Sequence, residues 1–486
     1  MIVNTKYGQI RGVEEGNLHV FRGIPYAEPP IGERRFTPPC PPQPWEGVLQ
    51  ADRYGPISHQ PVNAYYNFGE QSEDCLGLNI WTPGVEQANR PVLVDIHGGG
   101  FTSGTGAFFS GYTFAQRDNI VCVSINYRLG ALGFLYLGDL LGEAYQTSGN
   151  NGILDIVAAL RWVKENISVF GGDPNRITVS GGSAGAKCAS TLLTVPAAQS
   201  LFHQMIAQSG ATQAIRDTRT ASRITLRLLD KLGIPHNEAN RLLTLPAQTI
   251  LEAQENSLHT FGPVRDGLTI SMEPIDELLA GLDRKIPMLV GTNKDECVLY
   301  TSYSPEMNEP SDAVMFNLFG SNSELVWSAY REAALLQPAQ EAWSHTLTEY
   351  VYHNATIRLA EMAATQDQPL WLYRFEFSGG QGATHGSENP FIFNFLQSES
   401  AADQANELDP VAAFFAVPQS GKELAVHMHA AWAAFIHTGR PQAEGLPDWP
   451  MFNLANRPVM ILNQECKLDH EPALPENHFP NQVFAL

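Results

Sequence analysis

Apolar and polar residues follow two different rhythms along this chain. Short, nearly continuous apolar runs recur at Val92-Leu93-Val94-Asp95-Ile96, Ile120 to Tyr127, Met205 to Gln208, Ile286 to Gly291 and Leu370 to Phe375. Such runs read as strands buried on both faces, the habit of parallel sheets. Between them apolar positions recur at helical spacing: Ile156, Val157, Leu160, Trp162 and Val163 predict a helix from about Leu154 to Asn166. After a turn at Phe170 to Pro174, Arg176 to Ser180 predicts a strand, and the small residues from Ala184 to Leu193 predict the helix that follows it. Glu423 to His437 predicts a late helix stopped by Thr438-Gly439-Arg440-Pro441. Strands alternating with helices predict an α/β fold with a central, mostly parallel sheet flanked by helices. The segments of about 215–260 and 310–365 read as helical insertions forming a cap, extra layer or regulatory region on a single catalytic domain spanning 1–486.

Composition narrows the range of partners. With 51 Asp+Glu against 30 Lys+Arg, the surface repels phosphate backbones and anionic lipid heads, so nucleic acid and membrane are not expected as partners. No run is apolar for long enough to span a bilayer, and the start, Met1 to Gly8, lacks the regions of a signal peptide. The expectation is a soluble, cytoplasmic protein, a monomer or small homo-oligomer, acting on a small molecule. The six cysteines, Cys40, Cys75, Cys122, Cys188, Cys297 and Cys466, show no C-x-x-C spacing, hence neither a zinc site nor a redox pair. Cys122 reads as a small buried hydrophobe.

Two glycine-rich turns carry the candidate chemistry. Gly181-Gly182-Ser183-Ala184-Gly185 is a G-x-S-x-G pattern between a predicted strand and a predicted helix. A bare G-x-S-x-G is common. In strand–turn–helix context the glycines allow a sharp, strained turn that exposes the serine hydroxyl as a nucleophile. His97-Gly98-Gly99-Gly100-Phe101 ends another strand, and its glycines can present backbone N–H groups to an oxyanion. A phosphate-binding loop is the alternative there, but no G-K-[ST] follows. A serine nucleophile needs a base and an orienting acid, in the chain order serine, acid, histidine. His385 stands in a Gly-rich loop late in the chain; His427, His429 and His437 fall on a helix, and His97 reads as structural within its loop. For the acid, Asp295 and Glu296 follow a predicted strand, and residue type does not separate them.

Together with Phe21-Arg22-Gly23-Ile24-Pro25-Tyr26-Ala27, Ser72-Glu73-Asp74-Cys75-Leu76, Asn126-Tyr127-Arg128-Leu129-Gly130 and Gly149-Asn150-Asn151-Gly152, these motifs resemble the type-B carboxylesterase family over nearly the whole chain. Within it, the likeness is to bacterial para-nitrobenzyl-type esterases. The resemblance implies an α/β-hydrolase fold and a serine carboxylesterase acting through an acyl-enzyme, with no cofactor and no metal. It implies Ser183, Glu296 and His385 as the triad, and Gly99, Gly100 and Ala184 as the oxyanion hole. Tyr65, Tyr66 and Phe68 lie in a loop that by this resemblance rims the gorge, and with Phe101 and Phe393 they suggest an aromatic wall for apolar aryl or alkyl esters, core packing being the alternative for some of these rings; carbamate or activated-amide hydrolysis is the alternative reaction. It also implies structural ion pairs of Arg22 with Glu73 and of Arg128 with Asp173.

Three departures stand out. Gly182 replaces the glutamate usual before the serine, and Ile156 replaces a usual glutamine, which together imply a less polar wall behind the nucleophile. Cys75 matches a half-cystine, but no cysteine stands at its usual partner's position, so no bridge is expected.

Overall fold

In the computed structural model, which describes residues 1–62, 69–86, 89–109, 111–211, 215–256, 260–272, 281–282, 284–304, 307–319, 322–379, 382–394 and 417–472, the apolar runs form strands. The chain divides into two units, Met1–His203 with Ala214–Met272 and Gln204–Gln213 with Glu273–Leu486.

In the first unit β1 (Val13–Glu15), β2 (Leu18–Pro25), β3 (Gly77–Thr82), β4 (Arg90–Ile96), β5 (Val121–Ile125) and β6 (Gly172–Gly182) lie side by side in the order β6-β4-β5-β3-β2-β1. β4 is parallel to both β5 and β6. β5 meets β3 antiparallel, and the pairs β3–β2 and β2–β1 are antiparallel too. The parallel strands are thus β6, β4 and β5, at one end of that order. Every residue of β5 is buried, as its unbroken apolar run requires. β6 is longer than Arg176–Ser180 because Asp173 and Pro174 stay extended, and Gly172 pairs with Arg90 across an irregularity in the register. Helix α1 (Gly130–Phe134) precedes α2 (Asn151–Asn166), which buries Ile153, Ile156, Val157, Leu160 and Val163 along one face. α3 (Ala184–Thr191) follows β6 after one intervening residue, Ser183.

The next strand, β7 (Gln204–Gln208), belongs to the second unit, and the chain then returns to the first. There it forms β8 (Arg216–Asp217), α4 (Thr218–Leu232), α5 (Ala247–Ala253) and β9 (Val264–Arg265), with β8 parallel to β9. The second unit continues with β10 (Met288–Asn293), α6 (Asp312–Phe319), α7 (Ser323–Ala333), α8 (Ala339–Thr348), α9 (Asn354–Thr365), β11 (Leu370–Phe375), α10 (Asn389–Phe393), α11 (Lys422–Thr438), β12 (Pro458–Leu462) and β13 (Lys467–His470). Its strands lie in the order β7-β10-β11-β12-β13, parallel except for β13. α11 stops where Gly439 takes a left-handed conformation, φ 74°. Both segments predicted as helical insertions are largely helical. Among the described residues no helix is long and apolar enough to cross a membrane, and all six cysteines are free thiols.

The expected ion pairs are not the ones formed. Arg22 makes two hydrogen bonds to Glu15, at 2.5 and 2.7 Å, because the β1–β2 hairpin brings that carboxylate alongside. Glu73 is taken by Arg35 through Nε and Nη2 at 2.7 and 2.5 Å. Arg128 is buried and pairs with Asp155, one turn into α2 and fully buried. Its Nε and Nη2 donate to the two carboxylate oxygens at 2.8 and 2.7 Å, and its backbone N–H adds a third bond. Asp173 instead accepts the N–H of Asn175, two residues on, near the surface. A guanidinium this deep needs an equally deep acid, and Asp155 is that acid. Asp155→Ala strands the Arg128 charge and is expected to cost about 3–5 kcal/mol, read from the urea midpoint. The double replacement Arg128→Met with Asp155→Leu is expected to recover most of that loss.

Candidate active site

Ser183 is the one residue between β6 and α3, and its backbone stands at φ 57°, ψ −122°. That conformation is strained for any residue with a Cβ, and it is enforced by close backbone packing. A Cβ at Gly185 would stand 1.9 Å from the Ile96 carbonyl oxygen, and one at Gly181 would stand 2.4 Å from the Gly185 carbonyl carbon. Only glycine fits on either side, so the turn is as tight as its spacing predicted. Gly98 crosses the same turn: its Cβ would meet the Gly182 carbonyl oxygen at 2.8 Å. Ser183 itself keeps accessible surface.

The loop after β4 is folded so that Gly99 and Gly100 have positive φ, 109° and 63°. The Gly99 carbonyl accepts from the N–H groups of Thr102 and Ser103 and from the Ser103 hydroxyl. The Gln60 side chain clamps Gly104 through both its N–H and its carbonyl. Among the described residues, the N–H groups of Gly99, Gly100 and Ala184 have no protein acceptor. His97 stacks on Tyr127 at 4.4 Å, and burial pushes its imidazole down to about 4, so it is neutral and structural. Phe101 is fully buried, edge-on to Phe134 of α1 at 5.4 Å.

The second unit holds the candidate acid and the candidate base. His385 Nδ1 lies 2.6 Å from Glu296 Oε2. Glu296 is fully buried, and its other oxygen accepts the N–H of Asn293 at 2.8 Å. Asp295 does something else: its carboxylate accepts the N–H of Ala383, and its own N–H donates to the Ala383 carbonyl. The two neighbouring acids are thereby separated, one on the imidazole and one tying its loop in place. The rings of Tyr352 and Tyr300 flank His385 at 4.8 and 5.5 Å. Glu388 is a second buried carboxyl, raised above its usual range by burial and then by the charge of Glu296, with Asn293 Nδ2 donating to it at 2.5 Å. Asn293, Tyr352 and Glu388 were not singled out from sequence; only the position of Asn293, three residues before the acid, marked it. His429 is buried with Nδ1 on the Ile392 carbonyl, a core residue. Phe393 ends α10 with its side chain partly exposed. Tyr65, Tyr66 and Phe68 lie outside the described residues.

A Cβ at Gly182 meets no atom within 4 Å, so the position of the usual glutamate opens on space. Ile156 is fully buried on α2. In register with Ser180, two residues before Gly182, stands Asp95 on β4, so Asp95 and Gly182 share a face of the sheet. The lone acid in an apolar run was a signal passed over in sequence. Among the described residues its carboxyl has no hydrogen-bond partner. Burial pushes it up to about 8, although part of the side chain keeps accessible surface. A carboxyl raised this far above its ordinary value of 3.8 stabilises the fold while protonated; that stability is complete below about pH 4 and is lost as pH rises through about 8. Asp95→Asn is therefore expected to gain on the parent by about 2–4 kcal/mol between pH 5 and pH 8.5. Parallel melting curves across that range would contradict it.

The Carboxylesterase family profile matches residues 1–479. The para-nitrobenzyl esterase of Bacillus subtilis (strain 168) is 35% identical over 492 residues, covering 97% of this chain and 96% of that protein. The phenmedipham hydrolase of Pseudarthrobacter oxydans is 33% identical, covering 96% and 95%. Among solved structures, carboxylesterase EST55 of Geobacillus stearothermophilus at pH 6.2 superimposes with a TM-score of 0.83 at 37% identity, covering 97% of this chain and 98% of that one.

Proposed function

The chain belongs to the carboxylesterase family, with the α/β-hydrolase fold, and is a carboxylic ester hydrolase; from that premise we propose that Ser183 is its nucleophile, His385 its general base and Glu296 the acid that orients the base. The observation that carries the assignment is the forced backbone of Ser183, for which a purely structural turn has no need. In the proposed cycle His385 Nε2 takes the hydroxyl proton as Ser183 Oγ attacks the ester carbonyl. Glu296 holds Nδ1–H and stabilises the imidazolium. The free N–H groups of Gly99, Gly100 and Ala184 take the charge that develops on the carbonyl oxygen. His385 then protonates the leaving alcohol, and water repeats the sequence on the acyl-enzyme.

Aryl and alkyl esters are the proposed substrates, the helical segments of about 215–260 and 310–365 the layer that frames them, and the cytoplasm the proposed compartment. The acyl-enzyme is tested with a fluorophosphonate probe and peptide mass mapping. One phosphonyl group on Ser183, with parallel loss of p-nitrophenyl ester hydrolysis, is the expected result. Inactivation with the label on any other residue would overturn the assignment.

A further inference from the structure

Among the described residues, Arg216 is a buried guanidinium without a counter-charge. It is 2% exposed, and its Nη1 and Nη2 have no hydrogen-bond partner. Desolvation pushes it down to about 9, which leaves it charged at neutral pH. The nearest acids in sequence are committed elsewhere. Asp217 caps α4 by accepting the N–H of Thr220. Asp266 accepts the N–H groups of Leu268, Thr269 and Ile270 on one oxygen and the Asn150 amide on the other. An isolated buried charge is among the most costly features a fold can carry.

The surroundings are short of partners as well. β8 and β9 are parallel with Arg216 opposite Val264, so the two side chains leave on one face. Val264 packs on Gly149, where a Cβ would meet its Cγ2 at 2.7 Å, and its backbone is held by the Asn150 amide. That face therefore looks onto the start of α2, a 16-residue helix with no side-chain cap and the positive end of its dipole there. Asn151, fully buried in its first turn, has both side-chain polar atoms unpartnered, as is the Thr269 hydroxyl beyond β9. The region is joined to the candidate oxyanion loop by direct contacts. Phe101 lies edge-on to Phe134, and Phe134 packs on Gly152, two residues after Asn150.

We propose that Arg216 anchors a carboxylate-binding site, and that the esters this enzyme prefers carry a free carboxylate on the acyl side. The inference rests on the assignment of Ser183 and its oxyanion loop as the reacting centre. It also accounts for a buried cation in a chain of net charge −21, whose surface otherwise repels an anionic substrate.

The test compares p-nitrophenyl hydrogen glutarate with p-nitrophenyl valerate, acyl groups of one length with and without the carboxylate. Wild-type enzyme is expected to favour the hemiester in kcat/KM. Arg216→Met is expected to lower that ratio by about 10- to 100-fold, and Arg216→Lys to restore part of it. Arg219→Met, the same charge change at an exposed position on α4, is expected to leave the ratio in place. Free glutarate is expected to raise the Tm of wild type but not of Arg216→Met. A ratio unmoved by Arg216→Met overturns the proposal, even if glutarate still raises Tm, because the site then serves a free anion. If valerate ester hydrolysis survives Ser183→Ala, it is the hydrolase assignment that fails instead.

Discussion

Ser183→Ala is expected to lower kcat for p-nitrophenyl esters by about 10,000- to 1,000,000-fold while the protein stays folded. The residual rate reflects binding and the N–H groups of Gly99, Gly100 and Ala184, which the substitution leaves alone. Alanine carries the same Cβ, so the strained φ 57°, ψ −122° persists and Tm should stay near that of the parent. Ser183→Gly removes the Cβ from a conformation that glycine adopts freely. It is expected to be as inactive and more stable, by about 1–2 kcal/mol. The pair separates the two things the turn does: both variants lose the hydroxyl, and only one loses the strain. If Ser183→Gly melts no higher than Ser183→Ala, the backbone is not storing strain at this position. Hydrolysis retained in either variant would remove Ser183 from the mechanism.

Glu296→Gln is expected to lower kcat by about 1,000- to 10,000-fold with little change in KM. In the parent, Glu296 Oε2 accepts a hydrogen bond from His385 Nδ1 at 2.6 Å, which leaves Nε2 as the basic nitrogen. An amide can present N–H to that nitrogen instead and favour the tautomer with its proton on Nε2, which cannot act as a base. A merely structural role would show in Tm, not in kcat. Asp295→Asn supplies the contrast. Its carboxylate holds the Ala383 N–H, outside the imidazole contact, so the loss should fall on stability of the loop and far less on kcat. Equal kcat losses in the two variants would contradict the division of labour between neighbouring acids.

How far this was legible in sequence depended on how local the signal was. Leu370 to Phe375 matches its strand residue for residue, because a run apolar but for Arg374 is buried everywhere except at that residue. The strand before Ser183 is longer than its sequence predicts. Asp173-Pro174 has turn composition, yet its backbone stays extended because Gly172 finds a partner in Arg90, about 80 residues away in sequence. The G-x-S-x-G turn was legible as a local pattern, although part of the demand for its glycines comes from Ile96 on β4, far away in sequence. Ion-pair partners were not. Arg22 and Arg128 each had several acids within reach of a plausible fold, and the choice fell to Glu15 and Asp155 through hairpin register and helix burial. Asp295 and Glu296 could not be told apart by residue type, because side-chain reach across a single loop decides between them. Arg216 was invisible for the opposite reason: a charge without a partner leaves no pattern in a chain.

The order in which the chain is made gives the two-unit layout a further meaning. By the time residue 203 has left the ribosome, strands β1 to β6 can already pair with one another around the turn at Ser183. β7 emerges next, but the strand it pairs with in the second unit, β10, lies about 80 residues downstream. At ordinary synthesis rates the apolar stretch Met205-Ile206-Ala207 then waits roughly 4 to 16 s for that partner. During that interval the nascent protein displays an unfinished sheet edge, and Ser183 is present without the proposed base and acid. On the proposed triad the growing chain is therefore harmless to esters and exposed to aggregation at the same moment. Chaperone demand should peak for nascent chains ending between β7 and β10, and fall once Met288–Asn293 is clear of the exit tunnel.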